Sequence, residues 1–551
     1  MARYALSVVA LIAAPLAFAQ EKTLEEIIIT SSFTHQVQGQ NESSVAVIPG
    51  RDIAENLTQS LGEHLSTIAG VSSNNFGPAV GQPVIRGLSN SRVKVLQNNL
   101  VVRDVAGIGP DHPIDLDLGN IEQVEIVRGA AALLHSNGAT GGIVNVVDNT
   151  IARSDIEEPL FTLSAEQQTG NEGEGFSTAF KRNIGGFNVS YSFTGFDAQE
   201  YEVPNGAILH EEEHDDHDED HDDHDEDHEE DMGTLANSDY ETKAHRFGLS
   251  KLGEWGLLGA SYQDISYTYG IPFHGEEHGE HEEEGHDGDH EGEEHDDDHE
   301  GEEHHDEHEG ERIFSSTDSE VFTIQGLINV NSTLLNTVEF SIRDTDYTLV
   351  EQHAEGDGED EHEDEHEAHS EEPTLFSNDA TEVQMIFNLG SAESPRRIVV
   401  NQVSEEVAVL GEEAFMEPVK STETTIGAFG GFDVSGFDID VGIRYDDIER
   451  EGTIREMHEE EEHEEEGHED EGHDDEHESF ELEPFTFKDQ SVSGVVTIGR
   501  SLTDSLSGSV NMGFVTRTPS AMELFMNGEH LAVARYEVGD ANLKVEESNN
   551  I

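Results

Sequence analysis

Residues 187–193 read Phe187-Asn188-Val189-Ser190-Tyr191-Ser192-Phe193, apolar at every odd position and polar at every even one. Extended backbone places alternate side chains on opposite faces, so this stretch is a strand with one apolar face. The pattern recurs in Phe437-Asp438-Ile439-Asp440-Val441-Gly442-Ile443-Arg444-Tyr445, in Val338-Glu339-Phe340-Ser341-Ile342, and in the segment Leu506 to Phe514. Such a sheet lies between two media: core and solvent in a soluble sandwich, or lipid and lumen in a barrel.

The connections favour the barrel. Segments 426–434 and 437–446 are joined by Ser435-Gly436 alone, whereas the other ends of the strand pairs carry long polar inserts. Short turns on one rim and long loops on the other are the asymmetry of outer-membrane barrels. Asp438, Asp440 and Arg444 on the polar face suit a wet or plugged lumen better than a dry core. The expectation for residues 153–551 is an antiparallel transmembrane β-barrel.

Upstream, residues 46–152 read as a compact α/β module. Ile53, Leu57, Leu61, Leu65 and Ile68 recur at helical spacing and predict one helix that stops at Gly70. Short strands follow at Val84 to Arg86, Val93 to Leu96 and Ile121 to Val127, and Gly141-Gly142 turns into Ile143 to Val147. No G-x-G-x-x-G follows a strand, which excludes a dinucleotide fold. At the start, Arg3, the apolar run Tyr4 to Leu16 and Ala17-Phe18-Ala19 before Gln20 form a cleavable secretory signal over 1–19. No later segment is apolar for about 18 residues, so no transmembrane helix is expected.

Four tracts written in His, Asp and Glu, near 210–231, 274–311, 353–372 and 458–478, interrupt the strands and hold most of the 31 histidines. They also concentrate the imbalance of 122 acidic against 27 basic residues, a net charge of −95. That charge repels nucleic acid and anionic lipid and favours cations. Imidazole and carboxylate are the ligands a divalent transition metal accepts where no thiolate is offered, and the chain has no cysteine. The tracts read as solvated low-complexity loops able to hold metal weakly. In the first, His210, His214, His217, His221, His224 and His228 alternate in steps of four and three, so a helix would carry all six on one face. A metal-triggered helix is expected there, and none in the fourth tract, whose His458, His463, His468 and His473 are five apart.

This order of parts resembles the TonB-dependent outer-membrane receptors. Glu25-Glu26-Ile27-Ile28-Ile29-Thr30, within an N-terminal linker over 20–45, is similar to the TonB box, which would add as a strand to its partner's sheet edge. Pro83-Val84-Ile85-Arg86-Gly87, Ile121 to Gly129 and Ser136 to Val146 resemble three ordered motifs of the family's plug domain. Ala130 replaces a usual proline and His135 stands where an aromatic is common. Arg517 to Phe525 and Gly539 to Asn550 resemble a barrel loop and the approach to the next strand. The resemblance implies an α/β plug over 46–152 inside a 22-stranded barrel. Roughly a dozen strands are legible, so the chain reads as an N-terminal portion lacking the last of them.

Within that family the His-rich loops resemble the zinc-uptake (ZnuD-like) branch, which implies a ligand set. Gly107-Ile108-Gly109-Pro110-Asp111-His112-Pro113 is similar to a plug-apex loop whose Asp-His pair ligates metal. Asp346 to Glu351 resembles a strand end whose glutamate faces the site, and Asn527 to Ala532 a loop supplying a second histidine. Asp111, His112, Glu351 and His530 would complete a tetrahedral zinc shell. Leu349-Val350 departs from the branch's pattern, leaving His353 and Glu355 as alternatives to Glu351.

The function expected is TonB-driven import of a divalent metal, zinc first, across the outer membrane of a Gram-negative cell. TonB, membrane lipid and the metal are the partners, with no prosthetic group and no nucleic acid. Eight scattered methionines disfavour copper(I), while nickel, cobalt and copper(II) stay open. The competing readings are a surface metal buffer without transport and a receptor for haem or a siderophore. No nucleophile elbow or phosphate loop indicates an enzyme.

Overall fold

The computed structural model describes residues 45–55, 60–127, 132–204, 233–272, 312–330, 332–354, 373–391, 394–411, 414–457, 480–503, 506–533 and 535–551. The signal segment, the TonB-box segment and nearly all of the four His-acid tracts lie outside these residues, so the readings that fall on them have no structural counterpart.

The N-terminal module holds a five-stranded mixed sheet. In spatial order its strands are Val45–Pro49, Ile121–Val127, Gly142–Asp148, Val93–Gln97 and Leu100–Val101, with Val93–Gln97 and Gly142–Asp148 parallel. Gly142–Asp148 is buried at all but its last residue, which is why it reads as an unbroken apolar run. Ile53, Leu61, Leu65, Ile85, Val124, Ile126, Val144 and Val146 meet in one cluster beneath it. The single expected helix is instead two short ones, Gly50–Ala54 and Leu61–Leu65. Ser60 is extended and its hydroxyl accepts from the Glu63 amide, so an N-cap starts a new helix where the apolar period alone runs on. The observed strands Val80–Ile85 and Gly142–Asp148 are longer than expected.

Fourteen antiparallel strands form the second sheet, from Leu160–Gln167 to Glu546–Asn550, each paired with its neighbours along the chain. These two edge strands do not pair with each other. The burial pattern decides between sandwich and barrel. Outward positions carry exposed large apolar side chains, including Phe161, Leu163, Ile426, Ile443 and Val510. Inward positions carry buried polar ones, including Asn188, Ser190, Arg246, Arg343 and Arg444. An apolar exterior around a polar interior is the inverse of a soluble sandwich and matches a lipid-facing barrel wall.

The inward polar side chains are used to hold the first module in the lumen. Arg246 donates to the Gly119 carbonyl at 3.0 Å, Arg343 to Gln97 at 3.0 Å and Arg444 to Leu133 at 3.1 Å. Arg103 on the module faces Glu405 and Glu382 of the wall at 3.4 and 3.7 Å. The Ser435-Gly436 turn has φ of 59° and 76°, the paired left-handed geometry that a two-residue hairpin requires.

Candidate metal centre

Period two fixes the contribution of the barrel wall. In the strand Leu335–Ala354, Arg343, Thr345, Tyr347, Leu349 and Glu351 are buried while Asp344 and Asp346 are exposed. Glu351 therefore falls on the lumen face by phase alone. The side chain of His353 and all of Glu355 lie outside the described residues.

The loop after Leu100–Val101 supplies Asp111 and His112 and is pinned by buried side chains. Gln82 donates one amide nitrogen towards the carbonyls of Ala106, Gly109 and His112 at 2.8, 3.1 and 3.1 Å. The Asp104 carboxylate accepts from the backbone of Ala106 and Asp115, closing the loop at both ends. Tyr269 on the wall donates to the Asp111 carbonyl at 3.1 Å. Gly109 leaves the space these groups need: a Cβ there would lie 2.2 Å from Asp111 Oδ1 and 2.9 Å from His530 Cε1. His530 ends the strand Asn527–His530, whose partner is Arg535–Val538 and whose Asn527 amide donates to the Phe415 carbonyl at 2.8 Å.

These elements bring Asp111, His112, Glu351 and His530 together, with one donor atom from each lying within 4.8 Å of the others. His112 Nδ1 is 3.5 Å from both Asp111 Oδ2 and Glu351 Oε1. His530 Nε2 is 3.6 Å from Asp111 Oδ2 and 3.8 Å from Glu351 Oε2. Such distances are too long for hydrogen bonds. They approach the edge of about 3.3 Å of a tetrahedron whose metal–ligand bonds are about 2.0–2.1 Å. All four side chains are at most 5% exposed. Both carboxylate oxygens of Asp111 and both ring nitrogens of His112 and of His530 have no hydrogen-bond partner among the described residues. Buried polar atoms are normally satisfied, so these donor atoms are available to a ligand.

The surroundings are dry. Phe376 meets His112 edge-on at 4.8 Å, Phe415 lies 5.0 Å from His530, and the two imidazoles stack at 5.4 Å. Val105, Ile108, Leu349, Val409 and Met416 belong to the same apolar cluster. Burial pushes His112 down to about 4, against the pull of Asp111, so it is neutral at neutral pH with a lone pair to give. Burial would raise Asp111, but the His112 and His530 imidazoles outweigh it and hold the carboxyl at about 2, ionised. Both are in the state a cation accepts.

Sequence reading missed the supporting shell. Gln82, Asp104, Tyr269, Phe376 and Phe415 have no local signature, because each acts through a contact distant in the chain. The six His of the first tract and residues 25–30 lie outside the described residues.

Comparison with known proteins agrees with the fold. Residues 38–143 match the TonB-dependent Receptor Plug Domain. The vitamin B12 transporter BtuB of Vibrio vulnificus is 26% identical over 192 residues, 34% of this chain and 31% of that protein. The chain's match thus spans less than a third of that curated relative. Among solved structures, the Serratia marcescens hemophore receptor HasR, in complex with its hemophore HasA and heme, aligns with TM-score 0.62 at 11% identity, over 92% of this chain and 68% of that one. The copper transporter OprC aligns with TM-score 0.58 at 13% identity, over 87% and 65%. Residues 38–143 thus match a TonB-dependent receptor plug domain, and the chain shares the plug-and-barrel fold of these solved structures. In this chain the Asp-His-Glu-His cluster draws its donors from both the plug and the barrel domain.

Proposed function

We propose that this chain acts in a TonB-dependent outer-membrane receptor that captures a divalent transition metal, zinc first, and passes it to the periplasm. One observation carries the reading: two imidazoles and two carboxylates meet in a dry site at near-tetrahedral spacing. Zinc takes this donor set without redox chemistry or thiolate. The His-acid tracts would concentrate cations at the outer mouth, and the buried cluster would select among them.

The division of ligands gives transport a physical handle. Asp111 and His112 belong to the plug, Glu351 to a wall strand and His530 to the hairpin of Asn527–His530 and Arg535–Val538 that lies between two wall strands in the chain. Any displacement of the plug takes the shell apart, so a pull on the N-terminal box would convert a tight site into two weak half-sites. Haem fits this site poorly, since donor atoms within 4.8 Å of one another leave no room for a macrocycle. The named relatives bind B12, haem and copper, and at their identities they argue for the fold and leave the cargo to the site.

The test is metal content and zinc titration of the full-length protein, alongside uptake in cells at limiting zinc. One tightly held ion, lost with uptake in the Asp111→Ala, His112→Ala double variant at normal expression, is the expected result. Undiminished uptake in that variant overturns the reading. Deleting residues 25–30 separates transport from surface buffering, since uptake should stop while surface zinc binding persists.

A further inference from the structure

The short-turn rim of the barrel's outer wall carries basic residues without outward carboxylates among the described residues, a feature that metal import does not use. Outward strand positions at this rim hold Arg182, Lys251, Arg396 and Arg500. Among the described residues none of these outward positions holds a carboxylate: Asp433 and Asp438, paired across the turn, lie on the lumen phase, and Glu254 lies in a turn. Towards the long-loop rim the outward charges are mixed and mostly acidic, with Lys243, Lys420 and Lys488 each paired to a glutamate. Asp264, Glu320, Asp346, Asp379 and Glu406 stand directly opposite one another on successive strands.

Three of the four basic side chains are held over aromatic rings. Arg500 lies 4.6 Å from the centre of the Phe437 ring, Arg396 5.6 Å from Phe432 and Lys251 4.7 Å from Phe187. The first two pairs occupy four adjacent strands: Ser394–Leu410, Val419–Val434, Phe437–Met457 and Phe480–Thr503. Phe432 and Phe437 flank the Ser435-Gly436 turn, and Phe437 pairs with Val434, one diagonal step from Phe432. Diagonal neighbours on a sheet are about 7–8 Å apart, so the two rings lie side by side, with Arg396 and Arg500 flanking them from the strands on either side. Gly430 makes room, since a Cβ there would press on the Phe432 ring at 3.1 Å. The apolar band begins immediately above with Ile398, Ile439, Val441 and Ile498.

We propose that Arg396, Phe432, Phe437 and Arg500 form a seat for an anionic phospholipid of the periplasmic leaflet. The guanidiniums take the phosphate by charge-assisted hydrogen bonds, the rings fix the guanidiniums at the interface, and the acyl chains run up the apolar wall. The occupant is a lipid because the face lies at the edge of a hydrocarbon-facing band, where a soluble anion would lose the chain contacts. The seat anchors the wall on the side from which the plug must be pulled, and it stands whether or not the cargo is zinc.

The experiment is native mass spectrometry of the full-length protein released from membranes and from vesicles of phosphatidylethanolamine with phosphatidylglycerol. Wild type should retain phosphatidylglycerol through detergent exchange, and Arg396→Gln with Arg500→Gln should lower retention by a factor on the order of ten to thirty. Phe432→Leu with Phe437→Leu, which keeps apolar bulk, should lower it as well. Lys243→Gln, at the opposite rim, should leave it unchanged and reports on folding. Equal retention in wild type and the double arginine variant overturns the proposal, as does a preference for phosphatidylethanolamine or lipopolysaccharide over phosphatidylglycerol.

Discussion

His112 Nδ1, on the plug, lies 3.5 Å from Glu351 Oε1, on the barrel wall. Neither residue reaches the other across its own fold, and the contact exists only when the plug is seated. The His112 ring nitrogens are buried with no hydrogen-bond partner among the described residues, so this imidazole has given up water without compensation. The proposed cation would sit among these donors and offset that loss.

The first consequence concerns the apo protein. His530 has two unpartnered ring nitrogens in a nest of Phe376, Phe415 and the His112 ring. Replacing it by phenylalanine removes two unsatisfied buried atoms but also an imidazole that helps hold Asp111 ionised, so His530→Phe should change apo stability by no more than about 1 kcal/mol. It should also remove the gain from zinc, which for wild type is about 2.7 kcal/mol at a hundredfold excess over Kd. Thermal unfolding with and without zinc reads both. A destabilised apo variant that keeps its zinc response would contradict the assignment.

A second consequence follows from Gly109. Its absent side chain leaves room for Asp111 Oδ1 and His530 Cε1, which a methyl group would displace. The Gly109→Ala variant should fold and insert normally yet bind zinc at least about 10–100-fold more weakly, the range for loss of a supporting partner. Gln82→Met should do likewise, by freeing the three loop carbonyls it holds. Isothermal titration checks both, and wild-type affinity in either would show that the loop needs no such support.

How much of this was legible in the sequence depends on the distance over which each residue acts. The wall was readable from Phe187 to Phe193 because period two is local, and the same period places Glu351 on the lumen face. The two-residue turn at Ser435-Gly436 was readable for the same reason. The apolar series from Ile53 to Ile68 misled, because the extended Ser60 restarts the helix and its capping hydroxyl outweighs the period. Gln82, Asp104 and Tyr269 were illegible, since their roles exist only as contacts with residues far along the chain. Family motifs nominated Asp111, His112, Glu351 and His530 individually, and only the fold could bring them within 4.8 Å.

Acid should act in two stages. A solvated imidazole titrates near pH 6.5, so cations held by the tracts should leave as pH falls through about 6. His112 is depressed to about 4 by burial and Asp111 is held at about 2, so protons compete at the buried site only well below pH 6. Surface-bound zinc should therefore leave first and the last ion near pH 4. Stability carries the same signs. The unfolded chain binds His112's proton below about 6.5 and the folded one only below about 4, so this group lowers stability progressively across that window. Asp111 contributes stability above its unfolded value, lost as pH falls from about 4 towards 2. A single loss of all bound zinc near pH 6 would show that the buried cluster is not the tight site.

Removing the tracts separates concentration from selection. A chain without 210–231, 274–311, 353–372 and 458–478 loses most of its negative charge, while Asp111, His112, Glu351 and His530 are retained. Its equilibrium affinity for the last zinc should be unchanged, because the four donors and their apolar surroundings remain. Uptake at limiting zinc should slow by a factor on the order of ten, the low end of electrostatic focusing, and the deficit should vanish at high zinc or high ionic strength. Uptake rates across zinc and salt concentrations, set beside titration of the purified protein, distinguish the cases. Should the truncated protein lose its tight ion, the tracts themselves hold the cargo and the plug–wall cluster does not.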